Sequence, residues 1–335
     1  MADLRPRSGN RAGERGQLLL IAAFLVGVSF VVLALVVNSA IFTENLATRD
    51  DVPGSDDALD YRHEVSQNLG DVITAINQNN SVLDDYSSSN LDTPVENNVE
   101  TLQRQSGVQQ SSQGRVVDLQ LVNVMEGIKI AQDRPREFTN DTDDSTKWKE
   151  DWIVVKSVTD TRNMVLNITE DPTTSLNSGP DPFQIDVIGS DETWSIRVAD
   201  ASSDDVVVEV DPPNGNAQTC TSSFKDYLVI DITAGTIGDE PCHALTRLTD
   251  GTEMWFATGV SPPYNIEYIN GDKIVGTYYF IIESGTPNDD LTDDPDNWPY
   301  SKDPAVYQAF VYYQFYTADV GYETVVNIKP GDLPP

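Results

Sequence analysis

Residues 306–329 read VYQAFVYYQFYTADVGYETVVNIK. Val306 to Tyr316 has the period-two alternation of a strand. Tyr307, Ala309, Val311, Tyr313 and Phe315 share one face; Val306, Gln308, Phe310, Tyr312, Gln314 and Tyr316 share the other. Tyr322 to Ile328 reads as a further strand. Aromatic residues fall on both faces. The pattern fits cross-strand packing in a two-sheet core, with an aromatic ladder for sugars or peptides as the alternative.

The same signal recurs upstream. VVDLQLVNV (116–124) alternates with Leu119 and Leu121 on one face. Short β-rich runs follow at Trp152 to Val158, Met164 to Ile168, Phe183 to Ile188, Trp194 to Val198, Val206 to Val210, Tyr227 to Ile232, Ile266 to Ile269 and Ile274 to Ile282. Asp, Gly, Pro, Asn and Ser separate them, which argues for a β-sandwich over residues 113–335. Asn270-Gly271-Asp272 predicts a hairpin whose second arm is Lys273 to Ser284.

The N-terminal part is different in kind. Residues 1–16 hold Arg5, Arg7, Arg11 and Arg15, and an apolar run extends from Leu18 to Val37. As a helix this run measures about 30 Å, the thickness of a bilayer core. The arginines precede it and Glu44, Asp50 and Asp51 follow it, so the positive-inside rule places residues 1–16 in the cytoplasm and the bulk outside. The expected class is α+β. A long transmembrane helix over 17–49 leads, then an amphipathic helix over 50–80, a polar linker or loosely packed helix over 81–112, and the all-β extracellular domain. In 50–80, Val65, Leu69, Val72, Ile73 and Ile76 carry the helical period.

Charge limits the partners. The chain has 54 acidic against 21 basic residues, a formal net charge of -33. Phosphate backbones need basic clusters, and none follows residue 15, so nucleic acid is excluded. At molar salt the screening length falls to about 3 Å and self-repulsion largely vanishes. The composition therefore reads as that of a protein working in concentrated salt, with an ordinary acidic secreted protein as the alternative.

Cys220 and Cys242 are the chain's 2 cysteines. Outside the cell a close pair suggests a disulfide. Zinc fits less well, because Cys242-His243 offers adjacent rather than spaced ligands and the chain has only 2 His. Two free thiols are the remaining reading. Sequons occur at Asn79, Asn140 and Asn167.

Two acidic loops are weighed as weak calcium sites against salt-solvated loops. One is Asp141 to Asp144, which lacks the turn glycine and the closing Glu of a calcium loop. The other gathers Asp289, Asp290, Asp293, Asp294 and Asp296. No other cofactor is expected. The sequence has no G-x-S-x-G elbow, phosphate loop, dinucleotide glycine pattern or H-E-x-x-H. No enzyme activity and no small-molecule substrate are expected.

Arg15-Gly16-Gln17 is a basic residue, a glycine and the start of an apolar run. It resembles the class III signal of type IV pilin-like proteins. The stretch GQLLLIAAFLVGVSFVVLALVVNSAIFTENLATR (16–49) is similar to the start of haloarchaeal pilin-like secreted proteins. YQAFVYYQFYTADVGYETVVNIKPGDLPP (307–335) is similar to their close. The resemblance implies an archaeal origin, a prepilin peptidase cutting between Gly16 and Gln17, and other pilin-like subunits as partners. Ile21 stands where bacterial pilins carry Glu, a difference that archaeal members tolerate. It brings no catalytic residues. The expectation is a membrane-anchored structural or adhesive surface protein such as a minor pilus subunit. The alternative is a signal-anchored domain that binds a sugar, peptide or calcium without assembling.

Overall fold

The structure is a computed structural model that describes residues 55–78, 91–140, 150–176, 181–202, 205–283 and 301–330. Residues 58–335 form one compact unit. Two helices come first, α1 (Ser55–Gln78) and α2 (Asp92–Ser111). The strands follow: β1 (Val116–Glu137), β2 (Trp152–Val158), β3 (Thr161–Ile168), β4 (Phe183–Ile188), β5 (Thr193–Ser202), β6 (Asp205–Asp211) and β7 (Gln218–Ser223). After them come β8 (Leu228–Asp231), β9 (Thr236–Ile237), β10 (Glu240–Pro241), the single-turn helix α3 (His243–Thr246), β11 (Tyr264–Ile269), β12 (Val275–Glu283), β13 (Ser301–Tyr316) and β14 (Gly321–Ile328).

The strands form two sheets. The 8-stranded sheet has the order β10-β9-β8-β3-β12-β1-β13-β14, and the 6-stranded sheet has the order β2-β11-β4-β5-β6-β7. Neighbouring strands run antiparallel throughout. The largest core lies between the sheets. It joins Ile130, Met164, Leu166, Tyr278 and Phe280 of the large sheet to Trp152, Phe183, Trp194, Ile196, Val208 and Tyr268 of the small one. Each such side chain contributes about 1.5–3 kcal/mol by leaving water.

The 22 residues of β1 serve two neighbourhoods. Its first part, from Val116, pairs with β13 alone, and from Gly127 it also pairs with β12. Register shifts at Leu121/Asn123, Met125/Glu126 and Gln132/Arg136 mark irregularities that bend such a long strand. The first part, with β13 and β14, carries a second core under the helices. Ala58, Tyr61, Val65, Leu69, Ile73 and Ile76 of α1 recur at helical spacing and pack there with Val95 and Val99 of α2.

The expected α+β chain led by a long apolar helix is corrected here. The protein is mostly β in two sheets. Among the described residues no helix is long and apolar enough to cross a membrane. Residues 17–49, read as that helix, lie outside the described residues. The helices that are seen are polar ones whose single apolar stripe is used on the sheet. Residues 92–111 of the expected 81–112 linker form the regular helix α2. Pro94 sits in its first turn, where a missing N–H costs no intrahelical bond.

A second correction concerns Asn270-Gly271-Asp272. These residues do not close a hairpin, since β11 pairs with β2 and β4 while β12 pairs with β1 and β3. The chain instead crosses from the small sheet to the large one through a 3₁₀ turn, Gly271–Lys273. Asn270 takes the left-handed conformation, φ 54°, and its side-chain amide donates to the Pro182 carbonyl. The Gly271 N–H donates to Glu150 O, and the Phe138 N–H donates to Gly271 O. An alanine Cβ at Gly271 would lie 2.1 Å from the Phe138 carbonyl oxygen, so the crossing needs a glycine for space.

Cys220 and Cys242 form a disulfide, with Cα atoms 5.7 Å apart. Cys220 lies on β7, the edge of the small sheet, and Cys242 directly follows β10, the edge of the large sheet. The bond therefore ties the two sheets together at one border.

Candidate functional site

β13 has two faces with different fates. Ala309, Val311, Tyr313 and Phe315 are buried beneath the helices. The Tyr313 hydroxyl donates to the Ala58 carbonyl at 2.9 Å. The rings of Tyr61 and Tyr313 lie 6.2 Å apart. Among the described residues, the opposite face, with Phe310, Tyr312, Gln314 and Tyr316, has no such cover.

Cross-strand register extends this open face over three strands. Tyr316 pairs with Val116 and Gly321; Gln314 pairs with Asp118 and Glu323. Tyr312 pairs with Gln120 and Val325; Phe310 pairs with Asn123 and Asn327. Rows rich in apolar or aromatic groups are thus interrupted by an acid–amide–acid row. Val116 is 62% exposed, Val325 51% and Tyr316 36%. Successive side chains on this face of a strand stand about 7 Å apart.

Hydrogen bonds hold the polar tips of the rings. The Tyr312 hydroxyl donates to Glu323 Oε2 at 2.9 Å, and the Tyr316 hydroxyl donates to Glu323 Oε1. The Gln314 amide donates to the Tyr312 oxygen at 2.9 Å. At the other border Asp118 accepts from Gln120 at 2.8 Å and from Gln103 of α2 at 2.7 Å. The hydrogen bond to Glu323 raises the Tyr312 hydroxyl above its ordinary range, because it favours the protonated phenol. One carboxylate therefore sets the direction of two rings, the exposed Tyr316 and the half-buried Tyr312, which lowers the ordering cost of a contact there.

A separate cluster is structural. Arg162 lies 4.3 Å from the centroid of the Tyr307 ring and pairs with Asp160 at 2.9 Å. The Tyr307 hydroxyl donates to the same carboxylate oxygen at 2.6 Å. Burial is the main reason that the Tyr307 hydroxyl lies above its ordinary range. The cation, ring and carboxylate hold one another in place, with the Arg162 side chain buried and the Asp160 side chain half exposed. An open polar groove also runs along α2, lined by Glu100, Gln103, Arg104, Gly107, Val108 and Ser111.

The sites expected from sequence are scattered. Cys220 and Cys242 meet, as a disulfide. Asn140 follows β1 and is half-buried, and Asn167 is half-buried within β3. The side-chain oxygen of each is buried without a hydrogen-bond partner among the described residues. A glycan on Asn167 therefore requires that side chain to turn outward. Arg15, Gly16, Gln17, Asn79, the 141–144 acids and Asp289, Asp290, Asp293, Asp294 and Asp296 lie outside the described residues. Among the described residues, no group of three or more His, Cys, Asp or Glu is placed to hold a metal ion.

Sequence reasoning grouped Phe310, Tyr312 and Tyr316 on one face, but favoured core packing for the ladder. It missed Glu323, Asp118, Gln120 and Val325 as their neighbours. The usable signal was Gln308 and Gln314, which interrupt this face alone. No protein-family model, curated protein or solved structure matches the sequence.

Proposed function

We propose that this chain is a membrane-anchored, cell-surface adhesion protein whose β-sandwich binds through the open face of β13. The observation that carries the reading is that face, on which Glu323 holds the exposed Tyr316 and the half-buried Tyr312 beside the exposed Val116 and Val325. Exposed aromatic groups with their polar tips held in place are features of binding surfaces rather than of inert ones.

The anchoring half of the proposal rests on sequence. The apolar segment Leu18–Val37, with arginines before it and acids after it, supports attachment with the acidic bulk outside. The Cys220–Cys242 disulfide supports an oxidising exterior. The net charge of -33 supports solubility in concentrated salt. Arg15, Gly16 and Gln17 support processing by a prepilin-type peptidase and membership of a pilus-like assembly.

Cells displaying the full chain should attach to surfaces or to one another more than cells lacking it, and the double variant Tyr312→Ser/Tyr316→Ser should lose that gain. Equal attachment with and without the chain overturns the adhesion reading. Mass spectrometry of the mature protein addresses processing: an N-terminus at Gln17 is expected, and an intact 1–16 segment rejects the pilin-type route.

A further inference from the structure

We infer that the open face of β13 is a binding platform for a neutral polysaccharide chain. The inference rests on the adhesion reading and names the class of ligand that the same face takes.

The ring arrangement comes first. Phe310, Tyr312 and Tyr316 lie on one face of one strand, at alternate positions with Gln314 between the last two. The first two rings are rooted about 7 Å apart, and Tyr316 is rooted about 13 Å beyond Tyr312. A pyranose ring presents a face of C–H bonds, and such bonds rest favourably on the negative face of an aromatic ring. Rings repeated along one strand suit a repeating chain rather than one compact molecule.

The polar groups come second. Asp118 and Glu323 accept hydrogen bonds, while Gln120, Gln314, Asn123 and Asn327 both donate and accept. Sugar hydroxyls also do both, so the three rows through Gln314, Tyr312 and Phe310 offer them matching partners. A protein partner fits this face poorly. The Asp118–Gln314–Glu323 row divides the apolar groups, and the cores of protein interfaces are depleted of carboxylates.

Charge decides the remaining choice. The paired rows contain Asp118 and Glu323 but no Lys or Arg, and the whole chain carries -33. A polyanion such as a uronate polymer, a sulfated glycan or nucleic acid finds no cation in these rows to pair with, and an anionic group seated against Asp118 or Glu323 meets their charge at contact distance, within the screening length. A cationic ligand would be attracted only weakly in concentrated salt, where charge interactions are screened beyond about 3 Å. Ring stacking and neutral hydrogen bonds keep their strength there.

The test uses the full chain in detergent micelles, titrated calorimetrically with cellohexaose, maltohexaose, chitohexaose and mannohexaose, and with a hexauronate as the charged control. At least one neutral hexasaccharide should bind and the hexauronate should not. Tyr312→Ala and Tyr316→Ala should each weaken binding about tenfold or more, in line with the loss of one stacked ring. Glu323→Gln should weaken it less, and Val108→Ala, on the exposed side of α2, should leave it unchanged. Affinity should change little between about 1 M and about 3 M KCl. Circular dichroism confirms that each exposed-face variant is folded.

Failure of all four neutral probes overturns the inference. So does binding that ignores both tyrosine substitutions, or preference for the hexauronate. Dimerisation that is lost in Tyr312→Ala, without saccharide binding, also overturns it and assigns the face to a second copy of the chain. Cell attachment that depends on Tyr312 while all neutral probes fail removes the polysaccharide and leaves the adhesion reading standing. Saccharide binding by the purified chain without any cell attachment does the reverse.

Discussion

Asn77 pairs with both backbone polar groups of Val306, its N–H and its carbonyl. The Val306 N–H donates to Asn77 Oδ1, and Asn77 Nδ2 donates to the Val306 carbonyl, each at 2.8 Å. The side chain of α1 thereby substitutes for a strand at the point where β14, which begins pairing at Ala309, no longer reaches β13. Asn77 is fully buried, so water cannot replace it.

Asn77→Leu should therefore destabilise by about 2–4 kcal/mol, because it strands a buried donor and a buried acceptor. Asn77→Asp should also be costly, since it removes the donor and buries a charge. Chemical denaturation in fixed salt measures both. A loss below about 0.5 kcal/mol for either substitution, within the range of an ordinary surface change, contradicts the role given to Asn77.

Gly271→Ala tests the crossing between the sheets. The added Cβ would sit 2.1 Å from the Phe138 carbonyl oxygen, and backbone cannot yield as a flexible side chain does. A loss of about 2–4 kcal/mol is expected, as for other overpacked sites. Gly251→Ala, where nothing lies within 4 Å but φ is +86°, should cost only the smaller conformational term. Thermal melting of the two variants separates crowding from backbone preference, and a larger loss at Gly251 contradicts the account.

The disulfide closes a sequence separation of 22 residues. Its removal in Cys220→Ser/Cys242→Ser should cost about 3 kcal/mol by the loop-entropy relation. Labelling of the unfolded, unreduced wild-type protein should find no free thiol. Two labelled thiols remove the bond from the account.

High pH should unfold the protein. Burial is the main cause raising the hydroxyls of Tyr264, Tyr268, Tyr307 and Tyr313 above their ordinary value. Between the unfolded value near 10 and the raised folded values, the native state holds more protons than the unfolded state. Their stabilising contribution is complete below pH about 10 and is lost as pH rises through the folded values. Absorbance near 295 nm, followed with circular dichroism, should show part of the tyrosine signal rising only together with unfolding. Full ionisation of all tyrosines in a still-folded protein contradicts this.

Most strands were legible because their signal is local. Trp152 to Val158, Phe183 to Ile188 and Val306 to Tyr316 carry enough alternating or branched residues to be read in isolation. The edge strand β7, QTCTSS, carries no apolar pattern and is a strand because β6 pairs with it and Cys220 is bonded to Cys242. Helix α2 was only half-read. Val95, Val99 and Leu102 are a weak stripe, and short polar helices depend on packing that the segment does not itself display. The turn at 270–272 was recognised but its destination was not, since the same turn residues serve a hairpin and a crossing between sheets.

The candidate site shows the same division. Alternation alone placed Phe310, Tyr312 and Tyr316 together, because successive side chains of any strand point to opposite sides. It also separated them from Ala309, Val311, Tyr313 and Phe315. Composition likewise established the acidity, and with it the expectation that nucleic acid is not a partner. Which face of β13 would be covered is a different kind of fact. It depends on α1 docking from far away in the chain, as in the bond from Tyr313 to Ala58 across 255 residues. The join of Tyr312 and Tyr316 to Glu323 depends in turn on the pairing of β13 with β14. Periodicity specifies which side chains share a side, and long-range packing specifies which side meets solvent.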